Sequence, residues 1–548
     1  TAAIALCLYY EYESKRLTPE KLKEMDRNTT EHFILINGDL SGIQDFIFNI
    51  PSKGAAKSLK GHSVYISLLN DVVARYLVKE LGLKEANILY NGGGNFYILA
   101  PKVCESKFLN LRRKISELLL KVHRGNIYLA LDYISLSPKD FKAFNYQWEK
   151  VKQRVNTLKS RKWSEIDLYN HFSSIFGPFG VGSKDKDYCQ LCGIEKQERK
   201  IIYDPETEKS YCTFCHSFKD LTDKLKNADC LLVKETKDED KNNISVYQDI
   251  FRAFGFEYNF TKKNLLNAKQ KESALLINDT SFMEEGYLGY TMGAYRLPHK
   301  ESGEQLNFQE ISEKSIGDPK LALLKLDVDN LGNLFLNGLS EKATISRVTT
   351  LSRMLKHYFE GYFNHLICDK NWQDYLYVVF SGGDDTFIIG SWNIVLEFVQ
   401  EFYKDFRAFT CNHPQVTFSA GICMFRYNYP LIMSSRLTEE ALDNAKKFRR
   451  EDEVVPAKNK VSLFGEVFNW EEFKAVESFK KLLLSVMEKN FRTKKEISGR
   501  VFLYKIGKST LGFKKILQDS VRGEVNNIRF WRFAYYLRDI NRQDAEEL

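Results

Sequence analysis

Three acidic residues in one half of this chain have types and spacing that can do chemistry. Leu321 to Leu326 reads as an apolar strand running into Asp327-Val328-Asp329. Further on, Tyr375 to Phe380 reads as a second strand and Ser381-Gly382-Gly383-Asp384-Asp385 as a tight turn before a return strand, Thr386-Phe387-Ile388-Ile389. In a sheet where these strands are neighbours, Asp327, Asp384 and Asp385 converge. Carboxylates held together repel unless a cation lies between them. Hard divalent ions such as Mg²⁺ or Mn²⁺ take carboxylate oxygens and keep positions for phosphate and water. Two such ions activate an attacking hydroxyl and stabilise a leaving pyrophosphate. Gly382 and Gly383 permit the tight turn and let a triphosphate approach the backbone. A Gly-Asp hairpin alone is an ordinary turn; the upstream Asp327-x-Asp329 gives this one a chemical reading.

Four cysteines form a second group. Cys189-x-x-Cys192 and Cys212-x-x-Cys215 are two knuckles with 19 residues between them. Four thiolates at this spacing give the tetrahedral site of a structural Zn²⁺, closed to substrate. The other six of the ten cysteines are scattered and read as core or surface thiols. This usage, with no visible secretion signal, points to a reducing, cytoplasmic setting rather than to disulfides.

The elements that must position the carboxylates occur twice. The first copy starts at Phe33-Ile34-Leu35-Ile36 and runs into Gly38-Asp39-Leu40-Ser41-Gly42. A helix over 54–81 follows, then the strand Ile88-Leu89-Tyr90, the turn Asn91-Gly92-Gly93-Gly94-Asn95 and a return strand. Asp39 to Gly93 is 54 residues and Asp327 to Gly383 is 56. Each copy continues with a further helix and strand. The order β-α-β-β-α-β is ferredoxin-like, with helices expected on one face of the sheet. Gly94 and Asn95 replace the acidic pair in the first copy, which leaves it without a two-metal site. Its Gly92, Gly93 and Gly94 still suit a nucleotide.

Length and charge agree with this plan. The 548 residues call for several domains, and a net charge of +8 from 80 basic and 72 acidic residues suits a phosphate-rich partner. No apolar run is long enough to cross a membrane. The expected fold is α+β. Residues 1–30 read as a helix and linker, 31–145 as the first, degenerate ferredoxin-like copy, which the resemblance below identifies as a palm, and 146–260 as a helical zinc-binding domain. An active second palm with an N-terminal extension spans 261–465, and a C-terminal helical domain 466–548. Residues 234–241 read as a polar loop.

The segment Leu323 to Gly332 followed by Ser381 to Asp385 resembles the active palm of the large subunit of type III CRISPR effector complexes. Gly38 to Phe48 resembles its degenerate first palm, and the four-cysteine domain and helical C-terminus fit too. The Csm (type III-A) subtype fits better than the Cmr (type III-B) subtype. The resemblance implies an RNA-activated synthase that joins ATP into cyclic oligoadenylates. It implies Asp327, Asp384 and Asp385 as ligands of Mg²⁺ or Mn²⁺. Ser41, Gly42, Val328, Asp329, Asn330, Ser381, Gly382 and Gly383 are then expected near nucleotide, with Lys446 and Lys460 as phosphate contacts. Implied partners are CRISPR RNA, target RNA, a Cas5-like Csm4 subunit, a small helical Csm2 subunit and a Csm3 backbone. The family usually opens with a histidine–aspartate nuclease domain. None of the nine histidines here precedes an aspartate, so residues 1–30 read as at most its remnant and no nuclease activity is expected.

Three rival readings remain, of which a template-directed polymerase shares the palm but has no segment here that reads as fingers or a template channel. A GGDEF-like cyclic dinucleotide synthase or a class III cyclase uses a similar palm, but the turn here is Gly-Gly-Asp-Asp-Thr and the palms are paired in one chain. A catalytically silent, RNA-sensing scaffold would have no need of the clustered carboxylates.

Overall fold

The computed structural model describes residues 1–23, 29–51, 53–177, 179, 187–236, 244–271, 273–295, 298–300, 304–449, 458–491, 497–510, 530–538 and 540–547. They form two compact units, Thr1–Val467 and Phe468–Leu548. Among the described residues no helix is long and apolar enough to cross a membrane.

The first sheet is built from β1 (Phe33–Ser41), the helix Ala55–Glu80, the hairpin β2 (Ile88–Gly92) and β3 (Asn95–Pro101), the helix Glu105–His123 and β4 (Tyr128–Leu136). Its antiparallel order is β2-β3-β1-β4, the β-α-β-β-α-β arrangement. Strand β1 is apolar at successive residues because both faces of the sheet are covered. Ile34 and Ile36 join Leu59, Tyr65 and Leu69 of the long helix. Phe33 and Leu35 join Ala3 and Cys7 of the helix Ala2–Glu13, and Trp148 and Val151 of the helix Phe144–Ser160. This corrects the expectation of helices on one face. It also draws the N-terminal helix, and a helix assigned to the zinc region, into the core of the first sheet. The buried Glu11 carboxylate fixes that helix through the Val103 N–H at 2.8 Å and His32 at 3.2 Å. Residues 24–28 of the expected linker lie outside the described residues.

The middle of the chain holds a small hairpin, β5 (Ile201–Asp204) and β6 (Lys209–Cys212), the helix Thr213–Lys226, and a second sheet. That sheet contains β7 (Cys230–Glu235), β8 (Phe256–Thr261), β9 (Ala274–Ile277) and β10 (Leu288–Tyr290) in the order β10-β9-β7-β8. It straddles the boundary expected near residue 260, so the region is not purely helical. Lys234 and Glu235 of the expected loop end β7, and residues 237–241 lie outside the described residues. The helix Thr213–Lys226 packs on Ala55–Glu80 at Gly61, where a Cβ would lie 2.0 Å from the Phe218 carbonyl oxygen.

The third sheet repeats the first. It is built from β11 (Leu321–Val328), the helix Ile345–Lys356, β12 (Leu376–Gly382), β13 (Asp385–Ser391), the helix Trp392–Phe409 and β14 (Phe418–Phe425). These strands take the order β12-β13-β11-β14. After the helix Leu431–Lys447, β15 (Lys460–Leu463) adds parallel to β14. The expected single helix over 345–368 instead passes through a π-helical stretch, His357–Tyr362. The second unit is helical, with a core of Val486, Phe502, Ile506 and Ile540.

Candidate active site and a four-cysteine metal centre

Strands β11 and β13 pair so that Asp327 stands opposite Asp385. The Val328 N–H donates to the Asp384 carbonyl at 3.0 Å, which closes the strand end onto the turn. Gly383, at φ 67°, makes the turn. One strand end and one turn thus bring all three carboxylates within electrostatic reach of one another, though not into the close ligand spacing of the four cysteines. Burial pushes Asp385 up to about 7 and Asp384 up to about 6, and the Asp327 charge adds to both shifts. Lys325 opposes the shift at Asp385; Lys152 and Lys446 oppose it at Asp384. Lys446 is ion-paired with Asp327. Lys325 is bonded to Glu439 and stands 3.6 Å from Asp385. Asp385 Oδ1 is buried without a hydrogen-bond partner. A carboxylate oxygen buried without a donor, beside two other carboxylates, fits a divalent cation.

The first sheet repeats the register without the acids. Asp39 stands opposite Asn95, whose side-chain oxygen accepts from Asn37 at 2.8 Å. Asp39 also has its lysine, Lys159, at 2.6 Å. Lys446 follows Asp327 by 119 residues. Lys159 follows Asp39 by one residue more, on the corresponding helix after the fourth strand. The two turns meet tip to tip: a Cβ on Gly93 would lie 3.1 Å from the Gly382 carbonyl oxygen. The copies also exchange helix contacts. Trp148 of the first stacks on Phe335 of the second at 6.2 Å. Gln44 of the first donates to Glu439 of the second at 3.2 Å. A cavity of about 110 Å³ between them is lined by Tyr90, Gly93, Trp148, Lys152, Gly332 and Asp384, among others. Behind the tips, Glu360 on the π-helical stretch is pushed up to about 7 by burial, and it accepts from the Thr291 hydroxyl at 3.1 Å.

Three expected nucleotide neighbours have other work. The Asp329 carboxylate is 1% exposed and accepts from the Thr417 and Ser419 hydroxyls and the Asn459 N–H at 2.7–2.9 Å. It clamps the end of β11 to β14 and the start of β15, because the hydroxyls of Thr417 and Ser419 and the Asn459 N–H claim it just past the strand end. The Ser381 hydroxyl donates to the Phe359 carbonyl at 2.6 Å and meets the Thr386 hydroxyl at 2.8 Å. Lys460 is 2% exposed and donates to the Phe448 carbonyl at 3.1 Å. Lys446 does reach the site, through Asp327. Asn330 and Gly42 take the same left-handed turn after the first strand of their copies, at φ 54° and 89°. Ser41 ends β1, paired with Tyr128.

Sequence reasoning missed Lys325, Lys152, Lys159, Glu360 and Glu439. Alternation along β11 carries the signal for Lys325, two residues before Asp327 on the same face. Aligning the copies beyond their fourth strands carries the signal for Lys159. Only the packed structure marks Glu360.

The four cysteine sulfurs all lie within 4.8 Å of one another, the one such cluster among the described residues. Cys212 caps the helix Thr213–Lys226 and accepts from the Cys215 N–H at 3.4 Å. The Cys189 N–H donates to the Ile194 carbonyl at 2.7 Å, and its carbonyl accepts from Gly193 at 2.8 Å, which curls the first knuckle. Four converging thiols on two knuckles fit a tetrahedral ion.

Comparison with known proteins follows this geometry. The family described as "Csm1 subunit domain B" matches residues 32–176, and that described as "Cas10/Cmr2, second palm domain" matches residues 320–455. Two curated relatives are each named CRISPR system single-strand-specific deoxyribonuclease Cas10/Csm1 (subtype III-A). The one from Methanocaldococcus jannaschii is 34% identical over 86% of this chain and 65% of its own length. The one from Enterococcus italicus is 26% identical over 92% and 64%. The chain therefore spans just under two thirds of the curated relatives it matches. A solved Csm1–Csm4 cassette in complex with pppApA superposes with a TM-score of 0.68 at 22% identity, over 93% of this chain and 66% of that one. A cassette in complex with cA4 gives 0.65 at 20% identity, over 96% and 71%. These matches cover both halves of the duplicated architecture, and the chain belongs to the Cas10/Csm1 family of subtype III-A CRISPR systems.

Proposed function

We propose that this chain joins ATP into cyclic oligoadenylates as the palm-bearing large subunit of a type III-A CRISPR complex, under the control of target RNA. The observation that carries the reading is Asp327, Asp384 and Asp385 gathered in one copy, with a buried Asp385 oxygen lacking a donor, opposite a degenerate copy that meets it turn to turn. One competent and one degenerate palm provide two nucleotide positions across a shared seam. The cavity there puts Lys152 of the first palm beside Asp384 of the second.

In each step the 3′-oxygen of one nucleotide forms a bond to the α-phosphorus of the next. The bond from that phosphorus to the pyrophosphate oxygen breaks, and the hydroxyl proton leaves to solvent. Divalent ions held by Asp327, Asp384 and Asp385 would supply hydroxyl activation and offset the charge on the leaving pyrophosphate. The Gly382-Gly383 turn admits the triphosphate to the backbone. Lys446 and Lys152 bring positive charge to it, Lys446 from its pairing with Asp327. The cysteine cluster holds Zn²⁺ and fixes the region packed on the first palm. CRISPR RNA, target RNA, a Csm4-type subunit, a Csm2-type subunit and a Csm3-type backbone are the partners. The names of the similar structures support ATP-derived ligands and a Csm4 partner for those proteins.

The test is mass spectrometry of the products. The assembled complex is incubated with ATP and Mg²⁺ or Mn²⁺, with and without complementary RNA. Oligoadenylates that require target RNA, and that vanish in Asp384→Ala/Asp385→Ala while assembly persists, are the expected result. No product from ATP in a complex that still binds RNA returns the protein to a scaffold. Product from GTP moves it to cyclic dinucleotide synthesis.

A further inference from the structure

We propose that Lys325 and Glu439 are positioning residues that keep Asp385 open to a divalent cation: Glu439 holds the Lys325 ammonium off the carboxylate. This rests on the reading of Asp385 as a metal ligand.

Lys325 is 3% exposed and lies on the same face of β11 as Asp327. A buried ammonium there would by itself close onto the nearest carboxylate and take the place of a metal. It does not close. Its direct partner is Glu439, from the helix Leu431–Lys447, and Asp385 stands at 3.6 Å, beyond hydrogen-bond distance. Asp385 Oδ1 is left buried and without a donor. Glu439 is itself held by Gln44 of the first copy at 3.2 Å. The degenerate palm therefore reaches a catalytic carboxylate of the active one through Gln44, Glu439 and Lys325.

The duplication is an internal control. Asn37, Asn95 and Lys152 occupy the positions of Lys325, Asp385 and Glu439. The Lys152 match follows from Lys159 and Lys446, each seven residues further along its helix. In the first copy Asn37 donates straight to Asn95 at 2.8 Å. There Asp39 remains, but no carboxylate stands at the position of Asp385, and both the ammonium at the Lys325 position and the acid at the Glu439 position are absent. All three are present together in the copy that carries the acids.

The test is the Mn²⁺ affinity of the purified full chain, measured by calorimetry and by the electron paramagnetic resonance of free Mn²⁺. Glu439→Gln should weaken binding by about tenfold, because the released ammonium then competes at Asp385. Adding Lys325→Met to that variant should bring the affinity back to within about threefold of the parent chain. Gln44→Ala, which only loosens Glu439, should give a smaller loss, about two- to threefold, and serves if Glu439→Gln does not fold. Unchanged affinity in the folded Glu439 variant, or in Gln44→Ala when that variant stands in for it, overturns the proposal. So does a double variant as weak as Glu439→Gln. Mn²⁺ binding that is indifferent to Asp385→Asn overturns the metal reading itself, and that outcome is distinct because the other variants then have no site to modulate.

Discussion

Replacing Asp385 by Asn should stabilise the protein at neutral pH in the absence of divalent ions. One oxygen of the carboxyl, Oδ1, is buried while the side chain as a whole is 31% exposed, and its folded value of about 7 stands above its ordinary value of 3.8. A carboxyl raised by folding favours the folded state most when protonated. That contribution is complete below about pH 4 and is lost as pH rises through 7. A three-unit displacement is worth ~4 kcal/mol in a fully buried site; with the side chain about a third open to water, screening leaves ~1–2 kcal/mol between about pH 5 and 8. Asp385 Oδ1 makes no hydrogen bond, so the amide breaks none at that atom. The assay is urea unfolding of the parent chain and Asp385→Asn at several pH values, without added Mg²⁺ or Mn²⁺. The difference in unfolding free energy should swing toward the variant by ~1–2 kcal/mol as pH rises. Mn²⁺ should then stabilise the parent chain at pH 8 and leave the variant almost unmoved. A difference that stays flat with pH, or a variant that gains as much from Mn²⁺ as its parent, would refute both the burial argument and the ligand role.

Asp329→Ala removes three hydrogen bonds from a buried carboxylate clamp and should cost ~2–4 kcal/mol, seen as a lower denaturation midpoint. If stability holds and only nucleotide binding falls, Asp329 belongs to the site after all. Cys189→Ser should lower bound zinc, measured by atomic emission, together with the melting temperature, and a stable variant with full zinc would contradict the ligand assignment. Lys60, wholly buried and donating to the Ala294 and Val378 carbonyls at 2.8 and 2.6 Å, is held down at about 7 by burial. Its unfolded state binds the extra proton above that value, so stability should rise from pH 7 to 9 in the parent chain. The rise should shrink by ~2 kcal/mol in Lys60→Met, measured by urea unfolding.

The duplicated β-α-β-β order, the turn at Gly382-Gly383 and the paired cysteines were legible because each depends on local chemistry. Apolar runs specify strands, glycines specify turns, and a Cys-x-x-Cys knuckle is contained in a few residues. The convergence of Asp327 with Asp385 follows from the same logic, since a strand and the hairpin beside it fix the register between them. The two-sided cover on β1 was legible only in part. Its unbroken apolar run, Phe33 to Ile36, signals two buried faces but does not say which segments bury them.

The sequence by itself determined the repeat, the presence of acids in one copy and their loss from the other. Tertiary structure decided which neighbouring polar residues serve the site. Asp329 and Asp327 are two residues apart, yet one clamps β14 and the other faces Asp385, because contacts from strands distant in sequence claim the first. Lys460 and Lys446 look alike along the chain, but one is buried against Phe448 and the other reaches Asp327. The meeting of the two turns at Gly93 and Gly382, and the path from Gln44 to Asp385, exist only once the copies are packed together. Local patterns encode elements and registers, whereas the partner of a long polar side chain is set by whichever distant segment brings a complementary group within about 3 Å.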